Sequence, residues 1–426
     1  MSFQQGLSGL NAASKNLDVI GHNIANSNTV GFKASRAEFA EMVASAIGSS
    51  SGTNAGIGVE VAAVSQQFTQ GNLSITGNSL DVAINGNGFF TLKQPDGTAA
   101  YTRSGNFKLD KEGNMITNDN SNVMGYPVDP ATGLRMGTDP VPMVFPTSEP
   151  IPAKQTKSIT AAFNLDARAT DAAGDPAATP PVPATPRATY GTSINVYDSQ
   201  GVAKPVSLYF QKTATDNTWD VYDTLDDPTA NPPVVATAIG QITFDNNGAI
   251  TGPVATAPAT GFSLPLNVNP TPPNPNNLPP YSVDVKLDGV TQFGTKFAVS
   301  NLSQDGYTSG ELTGINIEDN GMIMTRYSNG VTRAEGQLAL SSFRNTQGLA
   351  SVGGNNWVAT FESGQPVVGT ATDGNFGSLR SGALEDSNVD LTAELVNMMT
   401  AQRAYQANAQ TIKTQDQIMS TLVNLR

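Results

Sequence analysis

The sequence predicts a multidomain protein: α-helical, coiled-coil-type ends and all-β domains between them, sandwich- or barrel-like, with an outer β domain inserted into an inner one. Three observations predict it. Of the 27 prolines, 25 lie between Pro127 and Pro280, none precedes Pro95 and none follows Pro366. Interior proline breaks helices, so long helices fit the ends and not the centre. Both ends carry apolar residues at alternating spacings of four and three, the rhythm of a helix seam. Between them, Asp96-Gly97, Asp288-Gly289, Asp305-Gly306, Asn320-Gly321, Asn329-Gly330 and Asp373-Gly374 punctuate short alternating runs, a spacing typical of sandwiches and barrels.

The first end, residues 1–33, reads as a helix and a turn. Ser2 with Gln5 has the capping-box pattern. Phe3, Leu7, Leu10, Ser14, Leu17, Gly21 and Ile24 form a heptad seam with Ile20 beside it. The last end, residues 385–426, offers Ser387 and Asp390 as start signals. Its seam runs through Leu391, Leu395, Met398, Gln402, Tyr405, Ala409, Ile412, Asp416 and Met419, and Leu422 and Leu425 continue the face. As one helix this end spans about 60 Å at ~1.5 Å per residue. The two ends together form the assembly region.

Residues 34–70 read as a linker, with Gly48, Gly52, Gly56 and Gly58 as hinge candidates in a Gly/Ser-rich run. Residues 71–145 with 301–384 read as the inner β domain. Within it, Asp81 to Ile84, the turn Asn85-Gly86-Asn87-Gly88 and Phe89 to Leu92 predict a hairpin. Residues 146–300 read as the inserted domain, with alternating strands at 192–197 and 206–210 and low-complexity loops at 175–186 and 267–280.

Composition excludes several functions. Only 14% of the 426 residues are charged, against about 25% in an average globular protein, which suits protein–protein packing. The net charge of −13 disfavours nucleic acid and anionic membrane as partners. No cysteine is present, and His22 is the single histidine. Thiolate metal sites, histidine clusters and a Ser-His-Asp triad therefore lack members, and no cofactor, metal or enzymatic activity is expected. No apolar stretch approaches the ~18 residues of a membrane span, and no basic-then-apolar leader opens the chain. The expectation is a cytoplasmic protein or one exported without a cleaved signal.

Chemical motifs fail on inspection. Gly86-Asn87-Gly88 lacks the third glycine of a dinucleotide loop, where Thr91 stands. The loop opening at Asp110 places Met115 and Ser121 where a calcium loop needs glycine and glutamate. Asp226-Asp227 lies beside Pro228, and nothing singles out an opposed pair of carboxylates.

Between Met1 and Lys33 the only charged side chains are Lys15, Asp18 and Lys33. A solvated coiled coil carries charges beside its seam; here Ser, Asn, Gln and Ala stand there. Isolated helices are marginal in water, so these ends need cover from each other, from the chain's own β domains or from other copies. The ends are expected to order on assembly.

A resemblance then narrows the choice. Residues 20–33, Ile20-Gly21-His22-Asn23-Ile24-Ala25-Asn26-Ser27-Asn28-Thr29-Val30-Gly31-Phe32-Lys33, resemble the N-terminal signature of the flagellar rod and hook family, as do residues 8–13. His22 departs from the family's usual Asn. Residues 382–391 and 402–410 are similar to its C-terminal signature. Leu80 to Ile84, Gly88-Phe89-Phe90 and Tyr101 to Phe107 look like the shared β domain; Leu302 to Tyr307 and Tyr327 to Gly330 look like its hook branch.

The resemblance implies a non-enzymatic subunit that polymerises into a flexible tube. It implies export by the flagellar type III apparatus to an extracellular hook. The implied partners are other copies, a distal rod protein, a hook–filament junction protein and a hook cap. Asn26, Thr29, Gly31, Phe32 and Lys33 would shape the turn leaving the first helix, with φ positive at Gly31. A distal-rod-type protein, which lacks the central insertion, and a carbohydrate-binding or adhesin-like β protein are the alternatives.

Overall fold

The structure is a computed structural model that describes residues 2–43, 56–130, 132–146, 150–227, 229, 232, 234–255, 261–269 and 278–424, without the side chains of 2, 43, 57 and 422–424. Two compact units emerge: Met1–Ser148 with Leu312–Tyr327 and Thr332–Arg426, and Glu149–Glu311 with Ser328–Val331.

Unit 1 begins with α1 (Ser2–Ala25). An antiparallel ribbon follows, β1 (Ser35–Val43) and β2 (Gly56–Gln66), in register from Ser35↔Gln66 to Val43↔Gly56. This corrects the reading of residues 34–70 as a linker: β2 carries Val59, Val61 and Val64, whose branched side chains favour strands. Gly56 and Gly58 are strand residues; a side chain at Gly58 would collide with Ser8 of α1, so the position serves close packing and is no hinge. Gly48 and Gly52 lie outside the described residues.

Next come β3 (Leu73–Ile75), β4 (Val82–Asn85), β5 (Phe89–Lys93) and β6 (Ala99–Thr102). The main path of the large sheet runs 312–317, 322–327, 332–342, 122–127, β5, β6, 356–358, 350–353. The expected hairpin between β4 and β5 does not form. β4 pairs instead with Ser378–Ser381, and β5 pairs with β6 and with Leu340 and Ser341. Gly86 and Gly88, at φ +115° and +122°, send the chain from one ladder to another. Val82, Ile84, Phe90, Phe107, Met115 and Leu338 fill the core. Beside it Phe89, Tyr101, Phe343 and Trp357 form an aromatic cluster. The chain ends in α2 (Leu391–Asn424), capped as Asp390 Oδ1 accepts from Thr392 N at 2.9 Å and Ala393 N at 3.1 Å.

Unit 2 is a sandwich of two five-stranded sheets. One orders 191–197, 203–212, 218–222, 238–244, 250–252; the other orders 263–268, 281–286, 158–166, 291–293, with 298–304 also pairing 158–166. Alternation along each strand turns one side chain in two inward. Phe163, Leu165, Leu208, Phe210, Trp219 and Val283 meet there in one core. The chain enters and leaves side by side, through the bridges Ile151↔Gly310 and Lys154↔Tyr307.

Residues 301–311 therefore group with unit 2 and not with the inner domain as expected. Leu302 pairs with Ala161, and Asp305 Oδ1 accepts from the backbone N–H of Lys157 and Ser158 at 2.9 Å each.

Candidate assembly interface and its joint

The helices of unit 1 run antiparallel. A Cβ on Gly6 would lie 3.1 Å from Ile412 Cγ1, and one on Gly9 would lie 3.0 Å from the Asn408 side chain; at the far end Asn23 Nδ2 reaches Glu394 Oε1 at 3.4 Å. Glycine at these positions lets the two backbones approach closely. The ribbon joins on a second side: Gln5 Nε2 donates to Gly56 O at 2.6 Å and Val59 N to Ser8 Oγ at 3.3 Å.

On α1 the inward face is offset from the one the apolar rhythm predicts; on α2 it shares Met398, Ala409 and Ile412 with that seam. On α1, Gly6, Gly9, Ala13, Ile20 and Asn23 are buried or half-buried, a heptad pattern one residue earlier than Leu7, Leu10, Ser14, Leu17, Gly21 and Ile24. Phe3 and Leu7 are exposed; Leu10, Leu17 and Ile24 are half-buried. On α2, Glu394, Met398, Ala401, Asn408, Ala409, Ile412 and Gln415 turn inward to different degrees, while Leu391, Leu395, Tyr405 and Met419 are exposed. Leu422 belongs to α2, but its side chain lies outside the described residues. Glycines and polar residues thus make much of the contact between helices, with Ile412 against Gly6, while Phe3, Leu7, Leu391 and Leu395 stand beside it. A cleft of about 390 Å³ between α1, β1 and α2 is lined by Asn16, Ile20, Asn23, Phe39, Glu394 and Asn397 among others.

Both helices leave the sheet through one polar joint. Asn26 Nδ2 donates to His22 O at 2.9 Å, and Phe32 N donates to Thr29 O at 3.2 Å, closing the turn after α1. The His22 ring sits 5.4 Å from that of Phe32. Gly31 has φ +70°, and a Cβ there would lie 2.6 Å from Ser104 N, so the turn requires glycine. Its N–H donates to Glu385 O at 2.8 Å.

Then Lys33 places its ammonium, fully buried, 2.6 Å from Glu385 Oε1, and Arg103 holds Glu385 Oε2 at 3.1 Å. Lys33 Nζ also donates to Thr69 O at 2.8 Å, Arg103 Nη2 to Gly86 O at 2.9 Å, and Gly71 N to Glu385 Oε1 at 3.0 Å. Burial pushes both cations down from their ordinary pKa, and the Glu385 charge opposes it. Asn388 adds bonds to Ala34 N, at 2.7 Å, and to Gln67 O, at 2.6 Å. Trp357 Nε1 donates to Gln66 Oε1 at 2.5 Å, tying the ribbon's end to the aromatic cluster.

Among the described residues no three His, Cys, Asp or Glu side chains gather to hold a metal, and no helix is long and apolar enough to cross a membrane. Of the sequence-predicted turn residues, Asn26, Thr29, Gly31, Phe32 and Lys33 all stand at the joint. Arg103, Glu385 and Asn388 complete it, and sequence reasoning gave them no role. Their only signal was their place within family-like segments.

Comparison with known proteins adds four family matches in chain order: Flagella basal body rod protein at residues 3–33, Flagellar hook protein FlgE/F/G D1 domain at 83–162, Flagellar basal body protein FlaE D2 domain at 164–307, and Flagellar basal body rod FlgEFG protein C-terminal at 380–425. The flagellar hook protein FlgE of Escherichia coli K12 is 43% identical over 435 residues, covering 100% of both chains. The chain belongs to the flagellar hook protein family. FlgE of Salmonella typhimurium is 42% identical and that of Borreliella burgdorferi 33%, each covering 100% of this chain and 99% or more of its own.

The crystal structure of Helicobacter pylori flagellar hook protein FlgE2 shares the fold, with TM-score 0.53 over 73% of this chain and 100% of its own at 15% identity. A hook-family chain of this kind is a structural subunit of the bacterial flagellum, located in its hook and basal body, and no enzyme. The match runs through the central unit as well as the ends, which sets aside the rod-type and carbohydrate-binding alternatives.

Proposed function

We propose that this hook subunit polymerises through α1 and α2 into a curved, flexible tube that passes torque from rod to filament. The observation that carries the reading is the arrangement on the helices: their mutual contact sets Gly6 against Ile412 and Gly9 against Asn408, while Phe3, Leu7, Leu391 and Leu395 remain uncovered. Neighbouring copies cover those side chains as coiled-coil-like seams. Residues 1–33 with 385–426 form the inner layer of the tube and the β domains the outer layers. A head-to-tail contact that does not close on itself generates such a helical tube.

The resemblance supports export through the flagellar type III apparatus, growth beneath a hook cap, and end contacts with a distal rod protein and a hook–filament junction protein. Neither nucleic acid nor membrane insertion has a place in this role. Replacing Leu10 and Leu17 together by Asp tests the reading: tubes seen by electron microscopy after concentration in salt are expected to vanish while both β units stay folded. Normal tubes from that variant overturn it.

A further inference from the structure

The cleft between α1, β1 and α2 holds a carboxylate that the chain leaves unmatched. Glu394 lines it, half-buried. Its Oε2 is shielded from solvent and has no hydrogen-bond partner. Its Oε1 receives one long bond, from Asn23 Nδ2 at 3.4 Å. Asn23 has nothing more to give, because Nδ2 also donates to Ser35 O at 2.8 Å and Oδ1 accepts from Ser35 N at 2.9 Å. Cations on the flanking elements are engaged elsewhere. Arg36, which also lines the cleft, pairs with Glu38 at 2.9 Å with its side chain in solvent. Lys15 pairs with Asp18 at 3.7 Å, and Lys33 pairs with Glu385. A carboxylate oxygen taken from water and given no donor is costly. A charge-assisted bond from a cation removes that cost, and the soft terminal torsion of Glu394 can present either oxygen to the cleft.

The cleft itself defines what would fit. One formal charge faces the side-chain amides of Asn16, Gln67 and Asn397, so a singly charged cation leaves the site neutral. A divalent metal is a poor match, since among the described residues no three His, Cys, Asp or Glu gather. The volume of about 390 Å³ far exceeds a bare ion, for even a water takes only about 30 Å³ in the liquid. Ile20 and Phe39 add apolar wall, against which a hydrocarbon stem can lie while its charged head stays in polar surroundings.

We propose that this cleft binds a small organic monocation, an alkylguanidinium or alkylammonium group, with its charge on Glu394 and its stem along Ile20 and Phe39. The site stands apart from polymerisation and needs only that α1, β1 and α2 pack together. An occupant ties those three elements and favours their packed form by mass action.

Butylguanidinium is the probe, with butanol as the uncharged control. Saturation-transfer NMR on the full chain, in dilute subunits and in tubes, is expected to show binding with a dissociation constant of about 1 mM, ordinary for a ligand of this size. Glu394→Gln, which keeps the acceptor for Asn23 but not the charge, is expected to weaken it at least ~tenfold. Asn397→Asp, which adds a second carboxylate, is expected to tighten it several-fold, so the test survives if Glu394→Gln loosens the helix pair. The same cationic group can arrive as a free solute or at the end of a Lys or Arg side chain, and the two samples separate these sources. Tubes that still take up butylguanidinium point to a free solute; binding confined to subunits points to a side chain already seated in tubes. Binding to neither sample overturns the proposal, as does binding unchanged by Glu394→Gln and Asn397→Asp or equalled by butanol. Binding that appears only in Arg36→Gln overturns it too, because the occupant is then the chain's own guanidinium.

Discussion

In unit 2 the core side chains Trp219, Phe163 and Phe210 are at most 1% exposed and lie between two sheets of the same chain. In the helix pair Phe3, Leu7, Leu391, Leu395 and Met399 stand in solvent, while Gly6, Ala13 and Ala401 are inside. Unit 2 closes a large hydrophobic core between its own two sheets, although Phe293, Val235 and Val254 stay exposed on it. The helices hold together through close backbone contact and a buried polar joint, and leave several large apolar groups exposed. Exposed apolar patches of this kind mark interaction sites. On the proposed reading, the difference separates a core closed within one subunit from helix faces that other copies cover.

The two tryptophans allow each unit to be followed alone, Trp357 in unit 1 and Trp219 in unit 2. The largest expected effect breaks the joint. Glu385→Ala leaves the Lys33 and Arg103 charges buried with no carboxylate, a loss of about 3–5 kcal/mol. Denaturation followed through Trp357 is expected to shift to lower denaturant, with the Trp219 transition unmoved. Equal shifts in both would erase the distinction between the units.

A matched pair of core and surface truncations sharpens the comparison. Phe210→Ala, which removes a ring whose centroid lies 4.5 Å from that of Phe163 at a tilt of 39°, is expected to cost unit 2 about 3–5 kcal/mol. Leu395→Ala, though equally apolar in sequence, is expected to change the dilute subunit by no more than about 0.5 kcal/mol and to raise the concentration needed for tubes. A large loss of subunit stability in Leu395→Ala, read by circular dichroism of the helices, would show that α2 is already packed.

The smallest effect is a pH dependence within unit 1. Burial pushes the Asp119 carboxyl up, but hydrogen bonds from Thr117, its own backbone, Ser121 and Asn356 outweigh it and hold the pKa below the ordinary 3.8. Stability from this group is fully present above that value and is lost as pH falls through the lowered pKa. Asp119 is exposed, so solvent screens the effect and Asp119→Asn is expected to weaken unit 1 by no more than about 1 kcal/mol near neutral pH. Its difference from the unaltered chain should shrink below pH 3.8 in Trp357-monitored unfolding.

What the sequence made legible follows from which forces are local. The two helices, the Asp390 cap and strands near 192–197 and 206–210 rest on short-range spacing, and the structure has helices and strands there. The phase of the helix contact was not legible. An apolar rhythm locates a stripe but does not say whether the same chain or another covers it, and Gly6 and Gly9, which make the intramolecular contact, carry no hydrophobic signal. The joint was hidden for a different reason. Glu385 meets Lys33 and Arg103 across 352 and 282 residues of chain, and pairing at that distance leaves no mark on local pattern. The hairpin expected around Gly86 failed because turn chemistry gives a change of direction without naming the strand's partner.

Amide hydrogen exchange, compared between dilute subunits and assembled tubes, tests the central claim most directly. Amides of α1 and α2 are expected to exchange fast in the free subunit and to become strongly protected in tubes, while those of strands 158–166, 203–212 and 218–222 are protected equally in both. Helix amides already protected in the dilute subunit to the level of unit 2, with no gain on assembly, would contradict the account.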